Sequence, residues 1–423
     1  MNVPKLRFKA DDGSEFPEWE EKTLFDVLDD VVDFRGRTPK KLGMDWCPEK
    51  TDYLALSALN VKMGYIDDSV EPHYGDSILY RRWMNGKELY KGEVLFTTEA
   101  PMGNVAQVPD NKPYILSQRV IALIPVKDVI CDDFFCCVLQ SRIVQLYLKK
   151  LATGGTAQGI SQKSLEKLRL TFPSLSEQQK IASFLSSIDE IIQSTESELT
   201  AWQKRKKGVM QKIFNREVRF KADDGSEFTE WEEKRLGEEG QFYGGLSGKG
   251  KDDFGCGEGR FLTYMNIYKN AFAKRDIVDN VNVEKTEKQN SVQYGDILFT
   301  QSSETVEEVG LSSVYLYDDK PYLNSFCMGF RFNDLRNVCP EFIGYCMRSE
   351  NIRKSIMLMG QGISRINLGA KRLATVKYEL PPLPEQKKIA ECLSSVDCVI
   401  RNIQAELSAW KEFKKGLLQQ MFV

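Results

Sequence analysis

The chain has 423 residues, with 58 Lys and Arg against 61 Asp and Glu and a formal net charge of −3. This length allows two or three domains with full cores, and the balanced charge excludes the strongly basic class of proteins that grip nucleic acid unaided. Ten cysteines without CxxC spacing, apolar runs too short to span a bilayer and no apolar signal core predict a cytoplasmic protein with reduced thiols.

The chain opens with a segment that returns near its middle. Residues 6–24 read LRFKADDGSEFPEWEEKTL, residues 218–236 read VRFKADDGSEFTEWEEKRL, and 16 of the 19 positions are identical. The second copy follows directly on a long helical pattern, and a similar pattern ends the chain. We therefore expect the C-terminal helix to stand to the first half as the central helix stands to the second. Trp19 and Trp231 are interpreted as packing residues at the helix ends.

The first variable segment runs from residue 25 to about residue 161 and has mixed α/β character. It begins with a basic loop punctuated by glycine and proline, DFRGRTPKKLGM at residues 33–44. β-branched and aromatic runs between turn residues predict strands, and a single apolar face predicts a helix. The predicted strands are 52–59, 65–66, 91–98 and 112–125; the predicted helix is 132–151, followed by a loop at 154–161.

Two long helical stretches follow the variable segments. Residues 176–214 and 384–422 align without gaps from Glu177 and Glu385, and 19 of 38 positions are identical. An S-x-x-Q capping box at Ser176 and a proline at Pro384 mark the predicted helix starts. Such a long internal repeat indicates a tandem, pseudo-twofold architecture.

Both stretches carry apolar residues at alternating steps of three and four, which is typical of a coiled coil. Because each helix would otherwise expose an apolar seam, we expect the two helices to pair with each other, and the internal repeat favours an antiparallel pair. The alternative is two unrelated surface helices, one on each domain. The predicted seam residues are Leu185, Ile188, Ile192, Leu199, Trp202, Val209, Leu393, Val396, Ile400, Ile403, Leu407, Trp410 and Leu417.

The second variable segment, residues 237–364, repeats the landmarks of the first. YGDILFT matches KGEVLFT, KPYLNSF matches KPYILSQ, and QGIS occurs in both, whereas the residues between these landmarks differ almost completely. Shared landmarks with divergent loops suit two domains that recognise different targets from one platform; drift after duplication is the alternative. The predicted boundaries are 1–161, 162–217, 218–364 and 365–423.

Two glycine-rich stretches resemble cofactor motifs. DFGCGEG at residues 253–259 resembles an S-adenosylmethionine loop, but no strand precedes it, and RFLTYMNIY after it reads as a strand. GLSGKGK at residues 245–251 has the spacing of a phosphate loop, but Asp252 follows where Ser or Thr would hold magnesium. With a single histidine, His73, and no elbow around a serine, we expect no catalytic or metal site in this chain.

The order of these segments resembles the specificity subunit of type I restriction-modification enzymes. The resemblance is carried by the EWEEK-x-L openings, the GD(I/V)LF-type strand, the QGIS loops and helices opening with (P/S)-L-x-E-Q-(Q/K)-K-I-A. It implies two α/β (α+β) target recognition domains in tandem, separated by two long helices that form an antiparallel coiled coil. Each domain is expected to read one half of a split, asymmetric site on double-stranded DNA.

The resemblance also implies partners and cofactors. Methyltransferase subunits and restriction subunits are expected to dock on this chain and to hold S-adenosylmethionine, ATP and Mg²⁺, with no catalysis and no cofactor in the chain itself. No membrane partner is expected. A second hypothesis keeps the coiled coil as an assembly scaffold without base-specific reading.

Candidate DNA contacts follow from side-chain chemistry. Arg and Lys reach phosphates and guanine, Asn and Gln read adenine, and Ser and Thr serve either role. In the first half the candidates are Arg35, Arg37, Thr38, Lys40, Lys41, Arg81 and Arg82. In the second half they are Ser247, Lys249, Lys251, Gln301 and Ser302. The matched loops add Gln158, Ser161, Gln361 and Ser364, which suit shared backbone contacts rather than discrimination.

Overall fold

The computed structural model describes residues 4–154, 158–362 and 364–422. Its contacts form two compact units: unit 1 comprises Met1–Glu196 and Ala405–Val423, and unit 2 comprises Ser197–Gln404. Each unit therefore contains one variable segment and parts of both long helices. The segment boundaries given above remain predictions. Residues 155–157 of the predicted loop 154–161, and Ile363 of the second QGIS, lie outside the described residues.

Unit 1 contains nine strands and four short helices among its described residues, and the first long helix begins in it. The strands are β1 (Glu20–Thr23), β2 (Leu28–Asp33), β3 (Tyr53–Leu56), β4 (His73–Gly75), β5 (Val94–Thr97), β6 (Val105–Gln107), β7 (Ile115–Leu116), β8 (Val120–Pro125) and β9 (Arg169–Phe172). The helices are α1 (Ser77–Met84), α2 (Asp132–Gln140), α3 (Arg142–Leu151), α4 (Gln162–Leu165) and the long α5 (Leu175–Phe214).

The strands of unit 1 form three sheets. A four-stranded antiparallel sheet has the order β2-β8-β5-β6, a three-stranded sheet has the order β4-β3-β7, and β1 pairs with β9. Successive residues of a strand face opposite sides of its sheet. In β5, Val94 and Phe96 therefore join the core with α2 and α3, while Leu95 joins the core with the three-stranded sheet. The central strand is buried on both faces, as its continuous apolar sequence indicates.

The helix predicted at residues 132–151 is two helices. Ser141 lies between α2 and α3 with an extended ψ of 146°, and its side chain accepts a hydrogen bond from the Val144 N–H. Serine competes with helical hydrogen bonding and favours cap positions, so it ends one helix and begins the next. The prediction of one continuous helix was wrong at this residue.

Unit 2 contains eleven strands and five short helices among its described residues, followed by the second long helix. The strands are β10 (Glu232–Arg235), β11 (Gly240–Gly244), β12 (Phe254–Leu262), β13 (Val278–Val281), β14 (Ile297–Thr300), β15 (Ser302–Ser303), β16 (Ser312–Val314), β17 (Tyr322–Leu323), β18 (Cys327–Phe332), β19 (Ile366–Asn367) and β20 (Lys377–Leu380). The helices are α6 (Leu236–Glu239), α7 (Tyr264–Lys269), α8 (Pro340–Cys346), α9 (Glu350–Leu358), α10 (Ala370–Leu373) and the long α11 (Leu383–Met421).

The sheets of unit 2 repeat those of unit 1. The four-stranded sheet has the order β11-β18-β14-β16, the three-stranded sheet has the order β13-β12-β17, and β10 pairs with β20. In both units the three-stranded sheet contains one parallel pair, β3 with β7 and β12 with β17. Unit 2 adds a short sheet of β15 and β19. The variable segments thus share the strand order of their main sheets despite their different sequences.

The two long helices are antiparallel in each unit. In unit 1, Lys414 pairs with Asp189 and Lys411 with Glu196, so the contact moves forward along α5 and backward along α11. In unit 2, Lys206 of α5 pairs with Asp397 of α11 at 2.6 Å, and Ile213 shares a core with residues of the first turns of α11. The predicted antiparallel coiled coil is confirmed, and the alternative of two unrelated surface helices is excluded.

The predicted seam lies along this helix pair. All thirteen seam residues named above are buried or half-buried. Lys206 and Lys414 lie four residues after Trp202 and Trp410 of the seam, and they form the ion pairs with Asp397 and Asp189. Helix α5 begins one residue before the predicted cap: the Ser174 hydroxyl, rather than Ser176, accepts the Glu177 N–H at 3.5 Å.

A repeated set of contacts, which we call the frame, joins each long helix to its unit. In unit 1 the buried Gln178 accepts the Cys131 N–H at 2.9 Å and donates to the carbonyls of Val129 and Pro173 at 3.0 and 2.9 Å. In unit 2, Gln386 makes the same three contacts 208 residues later. They join it to Cys339 N at 2.8 Å, Asn337 O at 3.0 Å and Pro381 O at 2.8 Å.

The frame also includes a contact between the beginning of the chain and the end of α11 in unit 1. The Val218 N–H donates to Lys212 O at the end of α5, and the Leu6 N–H donates to Gln420 O at the end of α11. The first contact is local in the chain, whereas the second joins residues more than 400 positions apart. The C-terminal helix therefore stands to the first half as the central helix stands to the second, as predicted.

Candidate nucleic-acid interface

The basic loop of unit 1 is shaped by its own charged side chains. Asp33, at the end of β2, accepts a fork from Arg35, with the closest ion-pair atoms 2.5 Å apart. Burial opposes ionisation of Asp33, but the bonds from Arg35 outweigh it and lower the Asp33 pKa. Arg37 lies over the Phe34 ring at 4.1 Å and donates to the Trp83 carbonyl. These two arginines therefore bind the loop to the fold before any ligand arrives.

The second half of the loop folds into a short 3₁₀ helix, Pro39–Leu42. Thr38 caps it by accepting the Lys41 N–H, and the Lys41 ammonium donates to Gly36 O at 2.7 Å. Lys40 and Lys41 are exposed. The loop thus presents lysines to solvent from an ordered turn.

Helix α1 places two further cations beside this loop. Asp76 caps α1 by accepting the N–H groups of Ile78 and Leu79. Arg81 and Arg82 lie in its last turn and are exposed, and the Arg82 guanidinium reaches the Leu42 carbonyl at 3.4 Å. The contact of Arg82 with Leu42 places the end of α1 beside the loop, and Lys40, Lys41, Arg81 and Arg82 are the exposed cations among the seven candidates of the first half.

The loop at residues 245–253 of unit 2 is ordered by polar contacts. Ser247 N–H donates to Gln289 Oε1 at 3.1 Å, and Gln289 donates back to Ser247 O at 2.8 Å. Lys249 pairs with Glu287 at 2.5 Å and its side chain is only 5% exposed. Hydrogen bonds from Lys249 and Gln289 lower the pKa of Glu287 to about 2. Lys249 was predicted as a DNA contact, but its side chain is held inside the fold by Glu287, which corrects that prediction. The other two candidates of this loop, Ser247 and Lys251, are exposed.

The DFGCGEG stretch lies within strand β12 rather than at a helix start. Phe254 and Gly259 both face Val281 of β13, so the strand between them bulges out of register. Gly257 has a φ of +80°, and an added Cβ would lie 2.6 Å from Asn282 Cα, so glycine is required there. The strand expected over RFLTYMNIY ends at Leu262, because Thr263 caps α7.

A second polar surface lies at the end of β14 in unit 2. The main-chain carbonyl of Gln301 accepts the Leu368 N–H at 2.9 Å, and Ser302 of β15 faces Asn367 of β19. Gln361 forms two backbone hydrogen bonds with Asn367. Gln301, Ser302 and Gln361 are therefore brought together, and Ser364 is exposed in the same loop.

The two QGIS sequences occupy different places in their loops. In unit 1, Gly159 bridges Thr153 and the Ile160 N–H donates to Thr98 O. In unit 2, Asn367 bridges Gln361 and the Leu368 N–H donates to Gln301 O. Asn367 therefore corresponds to Gly159, Leu368 to Ile160 and Gln361 to Thr153. The candidates Gln158 and Ser161 therefore match Ile366 and Gly369 in position, not Gln361 and Ser364. Ser161 also caps α4 by accepting the Ser164 N–H at 3.1 Å.

Each unit has one further exposed side chain, Arg119 in unit 1 and Phe326 in unit 2, that was not among the candidates predicted from the sequence. Arg119 of unit 1 accepts the Thr98 N–H with its carbonyl, and Phe326 of unit 2 accepts the Gln301 N–H in the same way. The Arg119 side chain is 51% exposed and Phe326 is 55% exposed. Arg119 is the seventh residue after Lys112 and Phe326 the sixth after Lys320, so the KPY landmarks indicate the neighbourhood of these residues but not their correspondence.

Within residues 4–154, 158–362 and 364–422, no group of three or more His, Cys, Asp or Glu is placed to share a metal ion. Over the same described ranges, no helix combines the length and apolar character needed to cross a membrane.

A family model and two curated relatives match most of this chain. The family model of the type I restriction modification DNA specificity domain matches twice, over residues 17–201 and 229–409. A putative type I restriction enzyme MjaX specificity subunit of Methanocaldococcus jannaschii is 26% identical, covering 97% of this chain and 94% of its own. The MjaVIII specificity subunit of the same organism is 24% identical, covering 74% of this chain and 75% of its own.

Two solved structures show the same fold. The S subunit of a type I restriction-modification system from M. genitalium has a TM-score of 0.57 at 18% identity, covering 100% of this chain and 99% of its own. A chain described in work on complex assembly and conformational transition of the type I R-M system has a TM-score of 0.58 at 18% identity, covering 96% and 98%. At this identity the likeness concerns the fold alone.

Proposed function

The chain belongs to the type I restriction-modification DNA specificity family, and we propose that it reads a split, non-palindromic DNA site through its two units. One observation carries this proposal. The units have the same strand order in their four-stranded and three-stranded sheets, yet the loops that these sheets present differ in sequence and chemistry. One platform carrying two sets of polar loops suits the recognition of two different half-sites.

The chemistry of the loops supports different targets. The surface of unit 1 at residues 35–41 and 81–82 offers arginine and lysine, which suit phosphate and guanine. The surface of unit 2 near Gln301 offers amides, hydroxyls and an exposed phenylalanine. Unlike donor sets on like scaffolds are expected to select unlike sequences.

The proposal gives the catalytic steps to partners. With a net charge of −3, the chain gains little from long-range attraction to DNA, so phosphate contacts from partner subunits are expected to supply part of the affinity. We assign methylation and cleavage to methyltransferase and restriction subunits, which would hold S-adenosylmethionine, ATP and Mg²⁺. The chain itself would act without catalysis, in the cytoplasm, as the subunit that directs them.

The test is the methylation motif of a cell that carries the chain with its methyltransferase partner. A bipartite motif with two unlike halves and a fixed spacer is expected, together with protection of that site in a footprint of the assembled complex. Salt-sensitive binding without sequence preference would favour the scaffold hypothesis instead.

A further inference from the structure

Unit 2 contains two half-buried arginines that bind backbone carbonyls instead of carboxylates. Arg348 follows α8, and Arg353 lies in α9. Within the described residues, the hydrogen bonds of both guanidinium groups end on main-chain oxygens. A buried charge without an acid partner is costly, so such a pair indicates a specific structural task.

Arg353 holds the loop between β14 and β16, residues 301–311, which we call the anchored loop. Its Nη1 donates to Gly310 O at 2.7 Å, and its Nη2 donates to Glu307 O at 2.9 Å and Val309 O at 3.0 Å. One planar group thus fixes three carbonyls in the second half of the loop. The residues at its tip, 304–307, are exposed.

Arg348 holds the neighbouring elements. Its Nε donates to Ser312 O at 2.6 Å, where β16 begins, and its Nη2 is shared among the carbonyls of Ile267, Tyr268 and Asn270, which end α7. The orphan carbonyls at a helix end favour a cation. Arg348 therefore fixes the place of α7 relative to β16.

Helix α7 in turn holds the anchored loop from its other side. Tyr264 Oη donates to Ser302 O at 2.9 Å, and Tyr268 Oη donates to the Glu308 carboxylate at 2.9 Å. Both ends of the anchored loop are thus fixed, and its exposed tip projects between them.

Unit 1 performs the same task with glutamines. Gln140 donates to Val105 O at 3.3 Å, which corresponds to the bond from Arg348 to Ser312 O. Gln145 donates to Gly103 O at 2.9 Å, which corresponds to the bond from Arg353 to Gly310 O. The loop in unit 1, residues 98–104, is four residues shorter than the anchored loop. A longer loop loses more entropy on ordering, and the arginine fork supplies the additional bonds.

Burial lowers the pKa of Arg353 to about 10, and burial with the charge of Arg353 lowers that of Arg348 to about 10. Both groups therefore remain charged at neutral pH. Charged donors make stronger hydrogen bonds than a neutral amide.

We propose that Arg348 and Arg353 are positioning residues that set the base preference of unit 2 by fixing the anchored loop. This inference rests on the proposed function, since it assigns Gln301, Ser302 and the exposed tip of the anchored loop to the surface that contacts the DNA bases. Gln140 and Gln145 position the shorter loop of unit 1 in the same way.

Arg353→Gln tests the proposal, because glutamine keeps the bond to Gly310 that Gln145 makes to Gly103 and removes those to Glu307 and Val309. The full chain, assembled with its methyltransferase partners, is measured on duplexes carrying the wild-type motif or either half scrambled. Discrimination of the half read by unit 2 is expected to fall about tenfold, in the range of one lost base preference. Discrimination of the other half should stay within about twofold.

A second readout does not depend on DNA. A glutamate-specific protease should cut the variant chain faster at Glu304, Glu307 and Glu308, because the loop has lost two anchors. Arg336→Gln, which removes an exposed arginine of the same unit, is the matched control and should change neither readout. Gln145→Ala should have the opposite pattern: discrimination should be lost at the half-site read by unit 1 and retained at the half-site read by unit 2.

The outcomes separate this inference from the proposed function. If the wild-type complex shows no motif, the proposed function fails. If the wild type discriminates and Arg353→Gln retains full discrimination of the unit 2 half, the positioning role is overturned. Equal loss at both halves also overturns it, because that pattern reports general unfolding.

Discussion

The two units differ in their loops far more than in the frame that holds them. The frame glutamines, Gln178 and Gln386, make the same three hydrogen bonds with distances that agree within 0.2 Å. The surfaces proposed to contact DNA differ in the side chains that they present: unit 1 offers exposed cations, whereas unit 2 buries the Lys249 side chain and has the longer anchored loop. The contacts that join each unit to its long helix are therefore constant, while the side chains presented to a target differ.

The largest effect is expected from the frame glutamines. Gln178→Met or Gln386→Met keeps the side-chain volume but leaves one buried N–H and two carbonyls unsatisfied. Each change should lower the free energy of unfolding of its own unit by about 4 kcal/mol. Hydrogen exchange of the full chain, read separately for each unit, measures this loss. A loss of stability in one unit and none in the other would contradict an equal role for the two glutamines.

A smaller effect should come from the frame arginines, and here the units should differ. Arg7 and Arg219 each form a two-atom fork with a fully buried glutamate, Glu177 and Glu385. Glu385 also accepts the Trp231 N–H at 3.1 Å, so it keeps a partner when its arginine is lost. Arg7→Leu is therefore expected to cost about 3 kcal/mol and Arg219→Leu about 2 kcal/mol.

The same hydrogen-exchange measurement checks this order. Arg336→Gln is the control for loss of a surface arginine. A larger loss for Arg219→Leu than for Arg7→Leu would contradict the idea that Trp231 shares the charge of Glu385.

The smallest effect should come from the frame tryptophans. Among the described residues, the buried Trp19 Nε1 has no hydrogen-bond partner, whereas Trp231 Nε1 donates to Glu385. Trp231→Phe removes a bond to a charged group, and Trp19→Phe removes none. The stability loss should be larger for Trp231→Phe by about 1.5 kcal/mol. Equal losses in denaturant unfolding would show that the Trp231 bond adds nothing.

Much of the frame was predictable because it is written twice. The 3-4 spacing of apolar residues gave the helix pair, and the repeated opening segment gave the closure of unit 1 by the chain end. The break at Ser141 escaped prediction because serine fits a solvent-facing helix position as well as a cap. The register of QGIS escaped for a different reason: identical letters lie at different distances from the strand that binds them.

The reading surfaces were predictable in place but not in detail. The basic loop and α1 come together as one surface, as the clustering of candidates suggested. The roles of Arg37 and Lys249 depend on Trp83 and Glu287, which lie 46 and 38 residues away in the chain. Such long-range partners leave no local pattern in the sequence. Arg348 and Arg353 were missed for the same reason, since their partners are main-chain oxygens.

The most direct test of independent reading exchanges one unit's variable segment. Residues 25–161 would be replaced by the corresponding segment of a relative with a different motif, leaving the repeated openings and both long helices intact. The methylation motif of cells carrying the chimera is then mapped. We expect one half of the motif to change, with the other half and the spacer unaltered. A change in both halves, or in neither, would contradict two separate readers on a common frame.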